Sequence, residues 1–319
     1  MRVTILGAGG RHRTEASLAR ALRTLGHSAS IVDALGCRRR LGRWAEPVIR
    51  WQVDRTEAEL LLCTRHAIAA AESTLRAVFA GRSSAFWYFD SLIPIPEPVL
   101  RLARLTDRTF ATYGDQVEEL RVSGVAEVHF LPQGFDPAVD RPVDRAPARY
   151  RCDASFVGSG QYPRRYAMLR AIAGAMRLQI RGPEWNGAPA DLPVAGGTVR
   201  GRQFSRVVRG AALSLGIDAL ETRDRERRGG TSSRLWRVLG SGGCFLGEYV
   251  DNIEEFARHG EHALWYRDIP QGVALARAAL ADQELRARIA AAGRAHALAN
   301  HTYAHRLARL LAGQGYTST

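Results

Sequence analysis

The chain has 319 residues, of which 46% are apolar and 8% aromatic. A single hydrophobic core usually stops growing at roughly 250–300 residues, so this length predicts two domains. The first apolar stretch, Val3 to Leu6, is too short for a secretory signal, and no apolar run approaches the roughly 20 residues that span a bilayer. We therefore expect a cytoplasmic globular enzyme that does not insert into membranes.

The formal net charge of +13 is typical of a protein with an anionic partner. All 45 basic residues are arginines, which GC-rich coding bias would also produce. The four cysteines, Cys37, Cys63, Cys152 and Cys244, form no CxxC pair and no zinc-type cluster with histidine. We interpret them as reduced core residues.

The first half begins with an apolar strand, the glycine turn GAGG and a helix whose apolar residues recur every three to four positions. Gly26 ends this helix and SASIVD predicts a second strand. A long Ala/Leu-rich helix is predicted around residues 58–80. The burst AFWYF follows, then a proline-rich turn, a helix and strand ending near TFATYG, and a last strand in EVHFLPQGFDP.

Residues 141–154 are rich in Pro and Arg, which is typical of an interdomain linker. The pattern then restarts with SFVGSG, YAMLRAIAGAM, LQIRG, VVRGAALSLGI and SSRLWRVLGSGGCFLGE. Strands that alternate with helices indicate a parallel, doubly wound α/β sheet in each half. We predict an N-terminal domain at 1–145, a C-terminal domain at 146–300, and a final helix at 301–319 that packs back on the first domain.

The loop GAGGRHR follows the first strand, where glycines let backbone N–H groups approach a pyrophosphate. The third glycine of a dinucleotide fingerprint is replaced by His12. We favour an open loop in which Gly9, Gly10 and His12 line an acceptor site. In the alternative, an NAD-dependent oxidoreductase, Asp33 would bind the ribose.

Asp90 ends FWYFD, a position from which a strand delivers its side chain into a cleft. A carboxylate there can act as a general base on an acceptor hydroxyl, or it can cap the following turn. Three histidines are weaker candidates for proton transfer than Asp90, because a lone histidine is more often packed or solvated. They are His12, His66 and His129. Of these, His12 is retained with Asp90 as a catalytic candidate.

Two segments of the second half have the composition of anion-binding sites. SFVGSGQYPRR places Gly158, Ser159 and Gly160 after a strand and before Arg164 and Arg165, which supplies backbone donors and cations. A tight turn with surface arginines is the alternative.

In GGTSSRLWRVLGSGG, Thr231, Ser232 or Ser233 can cap a helix that carries Arg234 in its first turn. Such a helix start stabilises a departing nucleoside diphosphate, although an ordinary cap is the simpler interpretation. The charged run at 223–228 is predicted to be a solvated loop bordering that site.

The second half resembles the spore-maturation-protein (CgeB-like) glycosyltransferases and, more distantly, GT-B enzymes with a family-1-type C-terminal domain. The matching pieces are FLPQGFDP, DASFVGSGQYPRR, TSSRLWRVLGSGGCFLGEYVDNIEEFARHGEHALWYRD and IAAAGRAHALANHTYAHRLARLL. The resemblance implies two Rossmann-like domains facing each other across a cleft. It also implies a nucleotide-sugar in the C-terminal domain and no metal or other cofactor.

Carried over residue by residue, the resemblance places a donor site in the second half. Its members are Gly158, Ser159, Arg164 or Arg165, Ser233 and Arg234, with Gly242 and Gly243 permitting close approach of the nucleotide. Arg237 is included in this predicted donor site, at the position where many relatives have a ribose-binding glutamate. Glu248 or Glu254 is the expected replacement.

We therefore expect a metal-independent hexosyltransferase that uses a nucleotide-diphosphate sugar, with UDP-glucose favoured. The charge suggests a polyanionic acceptor such as a hydroxymethylated base in DNA, which an enzyme reaches by flipping the base. A small metabolite or a surface glycan is the competing acceptor. A non-catalytic nucleic-acid-binding protein is a second alternative, but it leaves both glycine-to-helix anion sites without a role.

Overall fold

The computed structural model describes residues 1–219, 230 and 232–316, and it divides into two compact units. Unit 1 contains residues 1–133 and the residues after Thr302, and unit 2 contains residues 134–302. The Pro- and Arg-rich segment 141–154 lies in unit 2, and its last three residues belong to the first strand of that unit.

Unit 1 contains a six-stranded parallel sheet with helices between the strands. Its strands are β1 (Arg2–Gly7), β2 (Ser28–Asp33), β3 (Leu60–Cys63), β4 (Ser83–Tyr88), β5 (Arg108–Ala111) and β6 (Val128–Phe130). Its helices are α1 (Thr14–Thr24), α2 (Ala34–Leu41), α3 (Ala45–Asp54), α4 (Glu72–Phe79), α5 (Glu97–Leu105) and α6 (Gly114–Val122), with 3₁₀ turns at Gly42–Trp44 and Arg65–Ala69.

The strand order in unit 1 is β2-β1-β3-β4-β5-β6. The order reverses between β1 and β3, because β2 lies on one side of β1 and all later strands lie on the other. In doubly wound sheets the crevice at the carboxyl ends of the strands bordering such a switch point is where ligands bind. The loops after β1 and β3 therefore frame the candidate site of this unit.

The prediction of a long helix at residues 58–80 is wrong. The run Leu60–Cys63 is a strand that pairs with both β1 and β4, and the helix begins only at Glu72. All four residues of the run are buried. A strand covered on both faces is continuously apolar, so the alternation that identifies half-buried strands is missing.

Unit 2 contains a second six-stranded parallel sheet. Its strands are β7 (Cys152–Val157), β8 (Leu178–Arg181), β9 (Val194–Gly196), β10 (Ala211–Gly216), β11 (Phe245–Glu248) and β12 (Leu264–Tyr266). Its helices are α7 (Arg164–Ala175), α8 (Arg202–Gly210), α9 (Arg234–Gly240), α10 (Ile269–Ala281) and α11 (Gln283–Asn300), with 3₁₀ turns at Ala148–Tyr150 and Ile253–Glu255.

The strand order in unit 2 is β12-β11-β10-β7-β8-β9, which is the arrangement of a dinucleotide-binding Rossmann sheet. Its switch point lies between β7 and β10. The prediction of an α/β protein with two doubly wound parallel sheets is confirmed. Each sheet has its own buried apolar core, centred in unit 2 on residues such as Phe156, Leu169 and Leu215.

The last helix, α12 (Tyr303–Leu311), packs against α1 of unit 1. Arg306 is fully buried there, and its guanidinium donates to the Pro132 carbonyl oxygen over 2.8 Å and to the Tyr316 hydroxyl over 2.7 Å. Burial lowers the pKa of Arg306 to about 10.

Among the described residues, none of the helices combines the length and the apolar composition that crossing a bilayer requires.

Candidate active site

The loop after β7 lies at the switch point of unit 2 and requires glycine at position 158. A Cβ atom on Gly158 would lie 2.7 Å from the Phe156 ring and 3.0 Å from a terminal nitrogen of Arg234. The Gly158 carbonyl oxygen accepts from the indole of Trp185 over 3.0 Å. The absence of a side chain therefore lets Arg234 approach the loop.

Arg234 is the first residue of α9, and its side chain reaches across to the end of β7. Its Nε donates to the Val157 carbonyl oxygen over 2.8 Å, and its guanidinium lies 4.9 Å from the centroid of the Phe156 ring. These contacts fix a cation at the carboxyl edge of the sheet, where an anionic ligand would bind.

Arg164 begins α7 and forms a two-pronged ion pair with Glu248, the last residue of β11. One Nη atom of Arg164 donates to a Glu248 oxygen over 2.7 Å, and the hydrogen bond to Glu248 raises the pKa of Arg164. The charges of Glu248, Arg164, Asp218 and Arg234 all act on the buried Tyr266 hydroxyl, whose pKa is raised chiefly by burial. These groups lie at the ends of β10, β11 and β12 and at the starts of α7 and α9, and they converge at one edge of the sheet.

Arg165 has a structural role. It is buried, and its guanidinium donates to the carbonyl oxygens of Ser159 over 2.7 Å and Ile217 over 3.3 Å. These bonds tie the loop after β7 to the loop after β10 across the switch point. Of the two adjacent arginines, the structure therefore favours Arg164 as the one beside a ligand.

The serines of the predicted donor site, Ser233 and Ser159, differ in their side-chain contacts. Ser233 precedes α9, but its side chain makes no capping hydrogen bond. The Ser159 hydroxyl donates to Glu184 and accepts from the Gln161 backbone N–H over 3.2 Å, so it stabilises the turn itself. Thr231 and the charged run at 223–228 lie outside the described residues.

Arg237, Gly242 and Gly243, three residues of the predicted donor site, make contacts outside the Gly158 loop. The Arg237 guanidinium is ion-paired with the buried Asp140 at 3.0 Å and lies 4.0 Å from the Phe204 ring centroid. Both glycines precede β11, so they lie at the amino edge of the sheet, whereas the Gly158 loop lies at the carboxyl edge. A Cβ on Gly243 would lie 2.3 Å from Val208, which indicates a packing requirement.

Of the two carboxylates considered for the ribose, the structure favours Glu248. Glu254 lies in the 3₁₀ turn after β11, and its carboxylate accepts from the His259 backbone N–H over 3.1 Å. Glu248 is half-buried at the strand end among the site charges.

The glycine loop of unit 1 surrounds a buried carboxylate that sequence analysis missed. One oxygen of Glu15 accepts from the Ala8 backbone N–H over 3.0 Å and from the Thr64 hydroxyl over 2.8 Å, and it lies 3.0 Å from Nδ1 of His66. A Cβ on Gly7 would lie 2.8 Å from this oxygen. The loops after β1 and β3 therefore meet at this carboxylate.

The contact with His66 favours the ionised form of Glu15. Burial favours the neutral acid, but hydrogen bonds from His66, Thr64 and the backbone outweigh it and lower the pKa of Glu15. An ionised Glu15 requires the proton of a neutral His66 to lie on Nδ1, which leaves the Nε2 lone pair as the acceptor. Within the described residues Nε2 makes no hydrogen bond, and the side chain is 21% exposed. The contact with Glu15 thus orients the His66 ring.

Asp90 follows β4, as predicted, but its carboxylate is ion-paired with Arg65. Its backbone carbonyl oxygen accepts from Gln116 over 2.7 Å. His12 is exposed on the loop after β1 and accepts from Arg11 Nε over 2.9 Å. Neither predicted base therefore has the buried orienting partner that His66 has.

Gly9 and Gly10 form the loop beside this pair. A Cβ on Gly9 would lie 2.8 Å from the Asp33 carboxylate, and Gly10 has a φ of +121°. Asp33 accepts from the Gly36 N–H over 2.7 Å and caps α2. The residue expected to bind ribose in an oxidoreductase is therefore engaged as a helix cap.

Glu15 could have been found from its spacing. It lies three and seven residues before Leu18 and Leu22, so it shares their buried face of α1. A carboxylate on such a face needs buried donors.

The chain is similar to known proteins in one sequence segment and in its fold. Residues 164–312 match the family described as "Glycosyl transferase-like". No curated protein matches the sequence. Residues 164–312 are therefore similar to a glycosyltransferase domain, and the chain as a whole has the GT-B fold.

The structural similarity covers both units. Anabaena HepE in complex with UDP-glucose has a TM-score of 0.66 at 13% identity, over 97% of this chain and 99% of that one. Sucrose-phosphate synthase from Thermosynechococcus elongatus has a TM-score of 0.63 at 12% identity, over 97% and 98%. A T4 phage BGT mutant in complex with UDP-glucose has a TM-score of 0.63 at 11% identity, over 97% of each chain.

Proposed function

We propose that this glycosyltransferase moves a hexose, with glucose favoured, from a UDP-sugar to an acceptor hydroxyl. The observation that carries the proposal is the convergence of Arg164, Arg234 and Glu248 beside the Gly158 loop. Solved structures of the same fold that contain UDP or UDP-glucose support the choice of nucleotide. The ordered motifs support membership of the spore-maturation-protein-like group as a further proposal.

The donor roles follow from the charges. The Arg234 guanidinium and the N-terminus of the twelve-residue helix α7 interact with the diphosphate. Glu248, held by Arg164, accepts hydrogen bonds from the ribose hydroxyls. As the bond between the anomeric carbon and the diphosphate oxygen breaks, UDP keeps the electron pair. The negative charge that UDP gains is stabilised by Arg234 and by the N-terminus of α7. No metal is needed in this scheme, so EDTA should leave turnover unchanged.

On the acceptor side, His66 acts as the general base. Its Nε2 takes the proton of the acceptor hydroxyl, whose oxygen bonds to the anomeric carbon, while ionised Glu15 stabilises the imidazolium that forms. Gly9 and Gly10 leave room for the acceptor beside this base.

A thermal-shift panel of UDP, GDP, ADP, CMP and NAD tests the donor, and we expect the largest shift with UDP. Turnover with UDP-glucose is then measured on DNA containing hydroxymethylated bases, on small sugars and on a surface glycan. UDP release that requires one of these acceptors supports the proposal. A shift with NAD alone, or UDP binding unaffected by Arg234→Gln, would contradict it.

A further inference from the structure

Unit 1 carries an exposed surface built of arginine and tryptophan on α2, the following 3₁₀ turn and α3. We call it the Arg–Trp surface, and its members are Arg39, Arg40, Leu41, Arg43, Trp44, Arg50, Trp51 and Arg55. Trp44 ends the 3₁₀ turn that leads directly into α3, and Trp51 follows seven residues later. On a helix this is two turns along the same face.

The tryptophans of this surface are exposed, unlike the others. Trp44 is 66% and Trp51 56% exposed, and the nearby Leu41 is 40% exposed. The remaining four of the six tryptophans, Trp87, Trp185, Trp236 and Trp265, are all buried. The opposite face of α3 packs into the unit through Ala45, Ile49 and Val53. The exposed indoles are therefore not required by the core.

Each exposed indole carries its own cation. The Arg43 guanidinium lies 5.1 Å from the Trp44 ring centroid, and that of Arg55 lies 4.8 Å from the Trp51 ring centroid. Residues 38–55 contain six arginines and two acids, of which Glu46 is ion-paired with Arg38 and Asp54 with Arg50. The surface thus combines apolar area with excess positive charge.

We propose that the Arg–Trp surface docks this enzyme onto the surface of an anionic lipid bilayer. Tryptophan partitions to the headgroup level, where its ring is apolar and its N–H stays wet, while arginine binds lipid phosphate. A peripheral helix face with this composition needs no spanning segment.

Charge complementarity alone would also suit a nucleic acid, but the apolar side chains favour the bilayer. Leu41 presents aliphatic area that a nucleic acid cannot use and that an acyl boundary can bury. A guanidinium already lies over each indole, which leaves less ring face for base stacking.

The first test is co-sedimentation of the full chain with phosphatidylcholine vesicles, with and without 30% phosphatidylglycerol, at about 0.1 M salt. Wild type should bind the anionic vesicles and not the neutral ones. Arg43→Gln/Arg55→Gln should lower the partition coefficient by about 25-fold, from roughly fivefold for each charge. Trp44→Ser/Trp51→Ser should lower it at unchanged charge. Arg101→Gln/Arg121→Gln, on exposed positions of α5 and α6, is the matched control and should change it much less.

The second test uses intrinsic fluorescence, because the two exposed indoles are the ones that a lipid can reach. Anionic vesicles with brominated acyl chains should quench the wild-type emission, and acrylamide quenching should fall on binding. Wild type that ignores anionic vesicles would overturn the proposal, as would variants that bind normally or a control that loses binding equally. Concentration-dependent dimerisation through the surface would also overturn the proposal, as would nucleic-acid binding that the same variants abolish. Either result would show that another partner binds the Arg–Trp surface.

These measurements do not depend on sugar transfer. A failure of donor binding leaves them intact, and their failure leaves the glycosyltransferase proposal intact.

Discussion

The two units use the same strand–glycine–helix opening at their switch points but fill it with opposite charges. In unit 1 the loop after β1 surrounds the carboxylate of Glu15, which already occupies the Ala8 backbone N–H. In unit 2 the loop after β7 is bordered by the guanidinium groups of Arg165 and Arg234, both lying over the Phe156 ring. A glycine loop therefore reveals where a ligand can approach, and the side chains around it decide whether that ligand is an anion.

The largest effect should come from the base of unit 1. His66→Ala removes the proton acceptor, and we expect kcat to fall by about 10²–10⁴-fold with little change in UDP affinity. His129→Ala, which removes a histidine of the same unit paired with Glu127, is the control and should keep near wild-type turnover. Equal losses in both variants would refute the role of His66, as would a loss of UDP binding in His66→Ala.

The second-largest effect should come from Arg234, the cation at the donor site of unit 2. Arg234→Gln should lower kcat/KM by about 10²–10³-fold, because it removes the charge that stabilises departing UDP. UDP affinity should fall with it, as measured by calorimetry, while NAD should remain a non-ligand. Turnover that survives this substitution would place the donor elsewhere.

Arg237 sharpens the contrast, because the structure places its guanidinium in an ion pair with Asp140. Arg237→Ala leaves Asp140 buried without its partner, and the pKa of Asp140 is already raised by burial. We expect a loss of unfolding free energy on the order of 2–3 kcal/mol in a urea titration, with KM for UDP-glucose nearly unchanged. A raised KM with normal stability would restore Arg237 to the donor site.

Gly158 tests the close approach within the site. Gly158→Ala places a methyl group against Phe156 and Arg234, and we expect KM for the donor to rise about tenfold, which corresponds to about 1.4 kcal/mol. Gly174→Ala is the control, because its added Cβ meets open space within α7. That variant should be neutral or more stable by up to about 1 kcal/mol.

The smallest effect should be on acid stability. The pKa of Glu15 is lowered below its ordinary 4.5, so its ionisation stabilises the fold above that pH, and this stabilisation is lost as the pH falls through the folded-state pKa. Glu15→Gln should therefore show a weaker decline of Tm below pH 4.5 than wild type. Glu72→Gln, an exposed carboxylate on α4, should keep the wild-type slope.

Much of the fold could be predicted from the sequence, because helix and strand periodicities and glycine turns are local. The restart at SFVGSG, the helix that begins with Arg164 and the strand that ends in Glu248 all follow from residues near one another in the chain. The run Leu60–Cys63 could not be recognised, since its identity as a strand depends on pairing with β1 and β4 on both sides.

The sequence by itself determined which residues could bear charge at strand ends, and it named Arg164, Arg234 and Gly158. Only the tertiary structure decided which of them meet. In the folded chain Arg237 pairs with Asp140 and Arg165 is buried. Gly242 and Gly243 lie at the opposite edge of the sheet. Glu15 contacts His66, which is 51 positions away in the sequence. The physical reason is that such partners are set by strand order, which brings together segments distant in the chain, and no local pattern records that order.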